Sequence, residues 1–467
     1  MTLAAVEAPA AISGAIGVAL ARAKRLGRAV LLCVSRPLDA QDMLPLIVSA
    51  RAAGVAAALF ERRAADTALA ALGTAWSRDA EGPERIAELA ATSRAIFDDA
   101  VCDGDAAPLA VAAFGFGPAT PDDDVWHGFP AARVVIPRAA LVRRRDGVAL
   151  LLHVLVSPAD DAARVTGRLT RRVARLRAWG ATPDDALGAT PATRYTTAST
   201  PEPSTWMGAV AATTADIAAG RFAKLVLARA CQLTATRPFD CGRAVARLRQ
   251  GYPSCTTFWL GGGAGDFLGA TPELLARVRD GELETAALAG TAARGTTTAS
   301  DDELAAALLA SDKDRREHAV VVDAIRTALV PWCENLSSAA TPQILRLPNV
   351  QHLLTPMRAR LAPGAHLLDV VAQLHPTPAV GGAPRDAALA VLPQREDLVR
   401  GWYAGPVGWF DAAGDGEFVV AIRSALVRER RAVLFAGAGI VAGSDPDAEL
   451  AETRLKLQPL LGALLEL

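Results

Sequence analysis

The sequence has little of what would mark a specialised class of protein. Only six cysteines occur in 467 residues (Cys33, Cys102, Cys231, Cys241, Cys255 and Cys333), and no two form a C-x-x-C pair. A disulfide scaffold is excluded, and buried thiols are expected instead. The six histidines include no H-E-x-x-H helix, which removes that zinc signature. Neither sign of charge dominates, with 49 Lys+Arg against 50 Asp+Glu, so the basic footprint that neutralises phosphates is missing and no nucleic-acid partner is expected. No apolar run approaches the ~20 residues that a membrane span needs. The amino terminus is apolar but is interrupted by Glu7, and no basic region precedes it, so it reads as an amphipathic helix of a cytoplasmic protein. There is no repeat period of the kind that builds solenoids or propellers.

What is present alternates between strand and helix. AVLLCV (29–34) reads as a buried strand, DAQDMLPLIVSARAAG as a helix stopped by Gly54, and VAAALF as a second strand. Strands are also expected near Val135 and Leu151, and a helix over 159–179. The stretch 181–203, rich in Pro, Thr and Asp, reads as a linker. Ser204 or Thr205 is expected to cap a helix from Trp206 to about Gly220, followed by a strand, KLVLARACQL, and a glycine-turned hairpin, TTFWLGGGAGDFLGA. One helix is expected from Asp302 to Trp332, another from Asp386 to about Leu392, strands at GPVGWF, GEFVVAIRSALV and RAVLFAGAGIV, and a last helix from Pro446.

Two acidic pairs, Asp314 with Glu317 and Glu449 with Glu452, are spaced i, i+3, so each pair shares one helical face. Such faces can present carboxylates to a hard divalent cation; taken alone, each also reads as a solvated face paired with Arg315, Arg316 or Arg454. Lys224 opens an otherwise apolar strand and is either an edge lysine or a base held in a cleft. Glu273, after Pro272 and between apolar residues, is either a first-turn acid or a proton donor. GAGIVAG (437–443) has the wrong spacing for a dinucleotide fingerprint, although its glycines can expose N–H groups to an anion, and LGGGAGD lacks the ending of a P-loop.

Taken in order, KLVLAR, LGATPELL, LAGTAARG, SDKDRREHAVVVDAIR, VQHLLTPMRARL, LHPTPAVGG, RGWYAGPVGW, GDGEFVVAIRSAL and LFAGAGIVAGSDPDAELAETRLKL resemble the chorismate-utilising enzymes, most closely those that make isochorismate for menaquinone or siderophores. These motifs span about residues 204–460; the amino-terminal 200 residues match loosely, through WHGFPAARVVIPRAAL. The resemblance implies an α/β (α+β) fold in which two large, mostly antiparallel sheets pack together, flanked by helices, with a cleft between them. Residues 1–203 would contribute strands to the same fold, and 204–467 would form the chorismate-binding catalytic region.

The implied chemistry is an isomerisation in which water attacks C2 of chorismate and the C4 hydroxyl departs. By the same resemblance, Lys224 matches the general base, Glu273 the general acid, and Glu317 and Glu452 the Mg2+ ligands, with Asp314 and Glu449 beside them. Tyr403, Arg423 and the N–H groups around Gly437 and Gly439 would meet the pyruvyl carboxylate, Lys456 would add positive charge, and Thr291, His352 and Ala379 would line the cleft. Ala289 stands where aminodeoxychorismate-forming relatives carry a nucleophilic lysine, and Lys224 where anthranilate-forming relatives (component I) lack one, so no glutaminase partner is expected. A monomer or weak homodimer is expected. The rival readings are a salicylate synthase, which goes on to eliminate pyruvate, and a catalytically silent chorismate-binding protein.

Overall fold

The computed structural model describes residues 12–39, 41–105, 107–144, 147–180 and 194–465. Its 21 strands join into one hydrogen-bonded network, and among the described residues every pairing is antiparallel except Val30–Leu38 with Val101–Asp103. The branch point is the strand Ala132–Arg144. One of its edges pairs along its length with Thr67–Ala80. The other edge carries Leu109–Phe114 beside residues 132–135 and Gly147–Val156 beside residues 139–144.

Two limbs leave this branch, and they give the two-sheet expectation its physical form. The first runs from Thr67–Ala80 through Ala57–Arg62, the hairpin Thr256–Gly262 and Gly265–Thr271, then Ser424–Arg428 and Arg431–Ile440, to Lys224–Ala235. The second runs from Leu109–Phe114 through Pro406–Asp411, Gly416–Val420, Leu274–Arg279 and Glu282–Ala293 to Val350–Leu361. Strands from before residue 203 thus pair directly with strands from after it. Alternation decides which side chains face inward: Leu283, Thr285 and Ala287 are buried, while Glu282 and Glu284 face out opposite Arg360 and Arg358, to which they are ion-paired.

Several expectations are corrected. The helix expected from Asp302 to Trp332 is two helices, Thr298–Ala310 and Asp312–Leu329, broken at Ser311, whose hydroxyl accepts from the Asp314 N–H and caps the second. Ser204 and Thr205 do not cap; Pro203 takes the first helical position of Pro203–Ala218, where its missing N–H costs nothing. GEFVVAIRSALV is two strands, separated where Arg423 takes a left-handed conformation (φ 50°). The end of the expected linker is the strand Tyr195–Thr200, paired with Lys224–Ala235; residues 181–193, which hold the rest of it, and residues 1–11 lie outside the described residues. Cys102 is exposed and Cys231, Cys241 and Cys333 are half-buried, so the buried-thiol expectation holds fully only for Cys33 and Cys255. No helix among the described residues is long and apolar enough to cross a membrane.

The core between the limbs is anchored on Trp126. Its ring stacks on Phe435 (5.4 Å, 24°) and meets Phe129 and Phe267 edge-on, while its indole N–H donates to the Val399 carbonyl (2.9 Å). Gly401 lies so close that an added Cβ would fall 2.0 Å from the indole. Phe435 in turn stacks on Tyr403 (5.2 Å, 20°), so the aromatic column from the amino-terminal half ends at the central cavity. Trp126→Ala should destabilise the fold by about 3–5 kcal/mol, read as a lower midpoint in urea denaturation, and Trp126→Phe by less. An unchanged midpoint in Trp126→Ala would remove this ring from the core account.

Candidate active site

A cavity of about 460 Å³ opens between the ends of the two limbs, within the range of small-molecule sites. The strands Lys224–Ala235 and Arg431–Ile440 form one wall, Glu282–Ala293 and Val350–Leu361 another, and the helices Asp312–Leu329 and Pro446–Leu465 close it. All fourteen site residues singled out from the sequence line this one cavity.

Local backbone features aim them there. A β-bulge skips Gly290 (φ 78°) between the pairs Ala289↔Leu353 and Thr291↔His352, which turns Thr291 toward His352 (Oγ1···Nδ1 3.1 Å). The absence of side chains at Gly437 and Gly439 is spatial. A Cβ at Gly437 would fall 3.0 Å from the Tyr403 hydroxyl, and one at Gly439 would fall 2.7 Å from Glu317 Oε1 and 3.0 Å from Lys224 Cε.

Lys224 is 1% exposed, which excludes the edge-lysine reading, and it donates to Glu317 Oε1 at 2.8 Å. Burial alone would raise Glu317, but Lys224 and the neighbouring Lys456 and Lys313 hold its carboxyl below the usual range. Glu273 is buried across the same cavity and has no ion-pair partner among the described residues. Burial pushes it up to about 7, against the pull of Lys224, Lys456 and a long hydrogen bond from Thr377 Oγ1 (3.5 Å). One carboxylate is thus held charged while the other titrates near neutrality.

The other acids lie on two facing helices. Asp314 is raised by burial and by Glu317 and Glu452, and Glu449 by burial and Glu452, so like charges crowd here. Lysines supply part of the counter-charge: Lys313 to Glu449 (3.2 Å) and Lys456 to Glu452 (2.6 Å) and to the Gly437 carbonyl (2.9 Å). Ser444 also donates to Glu449 (2.8 Å). Among the described residues, no three histidine, cysteine or acidic side chains are gathered closely enough to hold a metal ion in this arrangement.

Arg423 is 4% exposed and has no carboxylate partner among the described residues. Its Nη2 donates to His352 Nε2 (3.3 Å). Burial, then Arg423 and Lys456, drive His352 well below its ordinary value, so the ring is neutral; its Nδ1 then carries the proton and faces the Gly290 carbonyl (3.2 Å). Burial pushes the Tyr403 phenol up, which keeps it a neutral donor. Ala379 reaches the cavity from the loop after Thr377. The sequence reading missed Lys313, although its i, i+4 spacing to Glu317 puts it on the same helical face, and it missed Thr377 and Ser444, whose contacts are set only by tertiary structure.

The raised Glu273 makes a stability prediction. A folded-state pKa of about 7, above the unfolded value, contributes stability fully below about pH 4.5 that is lost as pH rises through 7. Glu273→Gln should flatten that decline, gaining up to roughly 3 kcal/mol over wild type at pH 8.5. Urea denaturation at pH 5 and pH 8.5 tests it; equal pH dependence in both proteins would reject the buried, protonated carboxyl.

The chorismate binding enzyme family matches residues 18–465 of the chain. The chain is 38% identical over 464 residues to the salicylate biosynthesis isochorismate synthase of Pseudomonas aeruginosa, covering 97% of this chain and 94% of the relative. It is 32% identical over 357 residues to an isochorismate synthase, MenF, of Bacillus subtilis, covering 76% and 74%. The fold is similar to the solved structure of the menaquinone-specific isochorismate synthase of Escherichia coli, with a TM-score of 0.77 and 27% identity over 96% of this chain and all of that one.

Proposed function

The chain belongs to the chorismate-binding enzyme family, and we propose that it is an isochorismate synthase, an isomerase that exchanges the C4 hydroxyl of chorismate for a C2 hydroxyl. The observation that carries this reading is the pairing, within one cavity, of a buried lysine with a carboxyl that burial pushes up to about 7. Lys224 is the general base for the attacking water, and Glu273 gives a proton to the departing hydroxyl. One water enters and one leaves, so the net change is isomerisation. Proton return from Lys224 to Glu273 resets the pair. Arg423 and Tyr403 hold the pyruvyl carboxylate, since a buried guanidinium with no carboxylate of its own offers planar paired donors to one. His352 and Thr291 position Arg423 and the ring, and Gly437 and Gly439 leave the ligand room.

The donor set also suits Mg2+: hard oxygen ligands from two helices, with Asp314 and Glu449 raised by burial and by the acids beside them, favour a divalent cation. Glu317 and Glu452 would hold it, with Asp314 and Glu449 beside them. When bound it would supply a counter-charge for the ring carboxylate.

The salicylate synthase reading adds pyruvate elimination after water addition. Ala379 offers only a methyl where a hydroxyl could assist the departing group, so isochorismate leaves intact. Purified protein given chorismate and Mg2+ should accumulate isochorismate, without stoichiometric pyruvate; salicylate with pyruvate would overturn the assignment. Lys224→Ala and Glu273→Gln should each lose turnover by roughly two or more orders of magnitude while remaining folded. Wild-type activity should fall as pH rises through about 7, where Glu273 ionises. Chelation by EDTA should abolish turnover and Mg2+ restore it, and Glu317→Ala should resemble the chelated protein; full activity of that variant in EDTA would exclude the cation site.

A further inference from the structure

The helix Ala162–Gly180 takes no part in this chemistry, yet it carries six arginines and no acidic residue, in a chain whose charges as a whole nearly balance. Four of them, Arg168, Arg171, Arg172 and Arg175, line a cavity of about 410 Å³ with Arg138 of the neighbouring strand and the indole of Trp179. This cavity shares no lining residue with the active site.

Counter-charge is scarce there. Asp160 pairs with Arg168 (2.6 Å), and among the described residues no other carboxylate pairs with any of the five. Three of the five also donate to main-chain carbonyls: Arg138 Nε to Thr74 (2.8 Å), Arg168 Nη1 to Leu155 (3.1 Å), and Arg172 Nη1 to Arg138 (3.3 Å) and to His153. Arg168 Nε is buried with no acceptor among the described residues. Burial, and after it the charges of Arg138 and Arg168, bring the Arg172 guanidinium down to about 10. Arg171 and Arg175 are exposed at the mouth, and the Arg175 guanidinium lies 5.9 Å from the centroid of the half-buried Trp179 ring.

We propose that this groove binds a nucleotide, its phosphates held by the arginines and its base stacked on Trp179. Guanidinium forks match phosphate oxygens in pairs, and five of them with a single carboxylate leave more positive charge than one anionic group would balance, which favours at least two phosphates. An indole at the edge of a cationic groove supplies the stacking face for an aromatic ring. The volume is that of a small-molecule site.

Titration calorimetry of the full chain with ADP, pyrophosphate and adenosine tests this. ADP should bind saturably, pyrophosphate more weakly and adenosine not at all, and binding should weaken between about 50 mM and about 500 mM salt. Arg171→Ala/Arg175→Ala, at exposed positions, should lower ADP affinity at least about tenfold with an unchanged circular dichroism spectrum and unchanged chorismate turnover, so that failure here is separable from failure of the active-site reading. Trp179→Ala should bring ADP down to the level of pyrophosphate. No saturable ADP binding, or full affinity in the double arginine variant, overturns the proposal, and an undiminished preference for ADP in Trp179→Ala overturns the stacking. Asp184 and Asp185 follow in sequence; if ADP binds only to Asp184→Asn/Asp185→Asn, the groove serves the chain's own carboxylates and the proposal falls.

Discussion

The buried ion pair between Lys224 and Glu317 is the constraint around which the rest of the structure is arranged. It joins the last strand of one sheet limb to the helix Asp312–Leu329 that lies against the other, and so fixes how far apart the two walls of the cavity stand. Burying two charges costs several kcal/mol each before their attraction offsets it, and an apolar pair of similar volume would serve stability as well. The pair therefore makes sense as a means of keeping a lysine at a place where water and substrate can reach it. Its presence also divides the carboxylates: Glu317 stays charged through contact with Lys224, whereas Glu273, which Lys224 influences only at longer range, is dominated by burial.

Such an arrangement needs backbone where side chains would otherwise be. The strand Arg431–Ile440 approaches the Lys224–Glu317 pair so closely that Gly439 has no room for a Cβ, and at Gly437 the Tyr403 hydroxyl stands in the way. On the opposite wall, the bulge at Gly290 shifts the register by one residue, which lets Thr291 and His352 face each other. Any bulkier residue at these points would push apart the groups that the ion pair draws together.

Much of this was legible in the sequence, for reasons that differ by residue. The i, i+3 spacing of Asp314 with Glu317 and of Glu449 with Glu452 put each pair on one helical face, and the ordered motifs brought both faces to one cavity. Composition and spacing alone could not decide whether Lys224 was an edge lysine, because burial depends on the helix that covers it, almost a hundred residues later in the chain. The left-handed turn at Arg423 was invisible because nothing in FVVAIRSALV marks a break; the tertiary setting of the buried guanidinium overrides a strand-forming run. The strand Tyr195–Thr200 was read as linker since its side chains are mostly exposed and its neighbourhood is rich in Pro and Thr, which hides a pairing made wholly by the main chain. Trp126 gave no local sign of its role, because every ring it touches beyond Phe129 lies more than a hundred residues away.

The charges around the cavity are distributed unevenly, and this asymmetry links fold to ligand. Acids from two helices face each other on one side, relieved only in part by lysines, while Arg423 on the other side is buried with a neutral histidine as its neighbour and no anion. Glu452 acts on Arg423 only at longer range, with no ion pair between them among the described residues, although both line the same cavity. On the proposed reading, a dianionic ligand that placed one carboxylate against Arg423 and turned the other toward the acidic side, where Glu317 and Glu452 would hold a divalent cation, would relieve both at once. On that reading the incompletely balanced charges on the two sides contribute to affinity for such a ligand, and the close backbone approach at Gly437 and Gly439 leaves the room it needs.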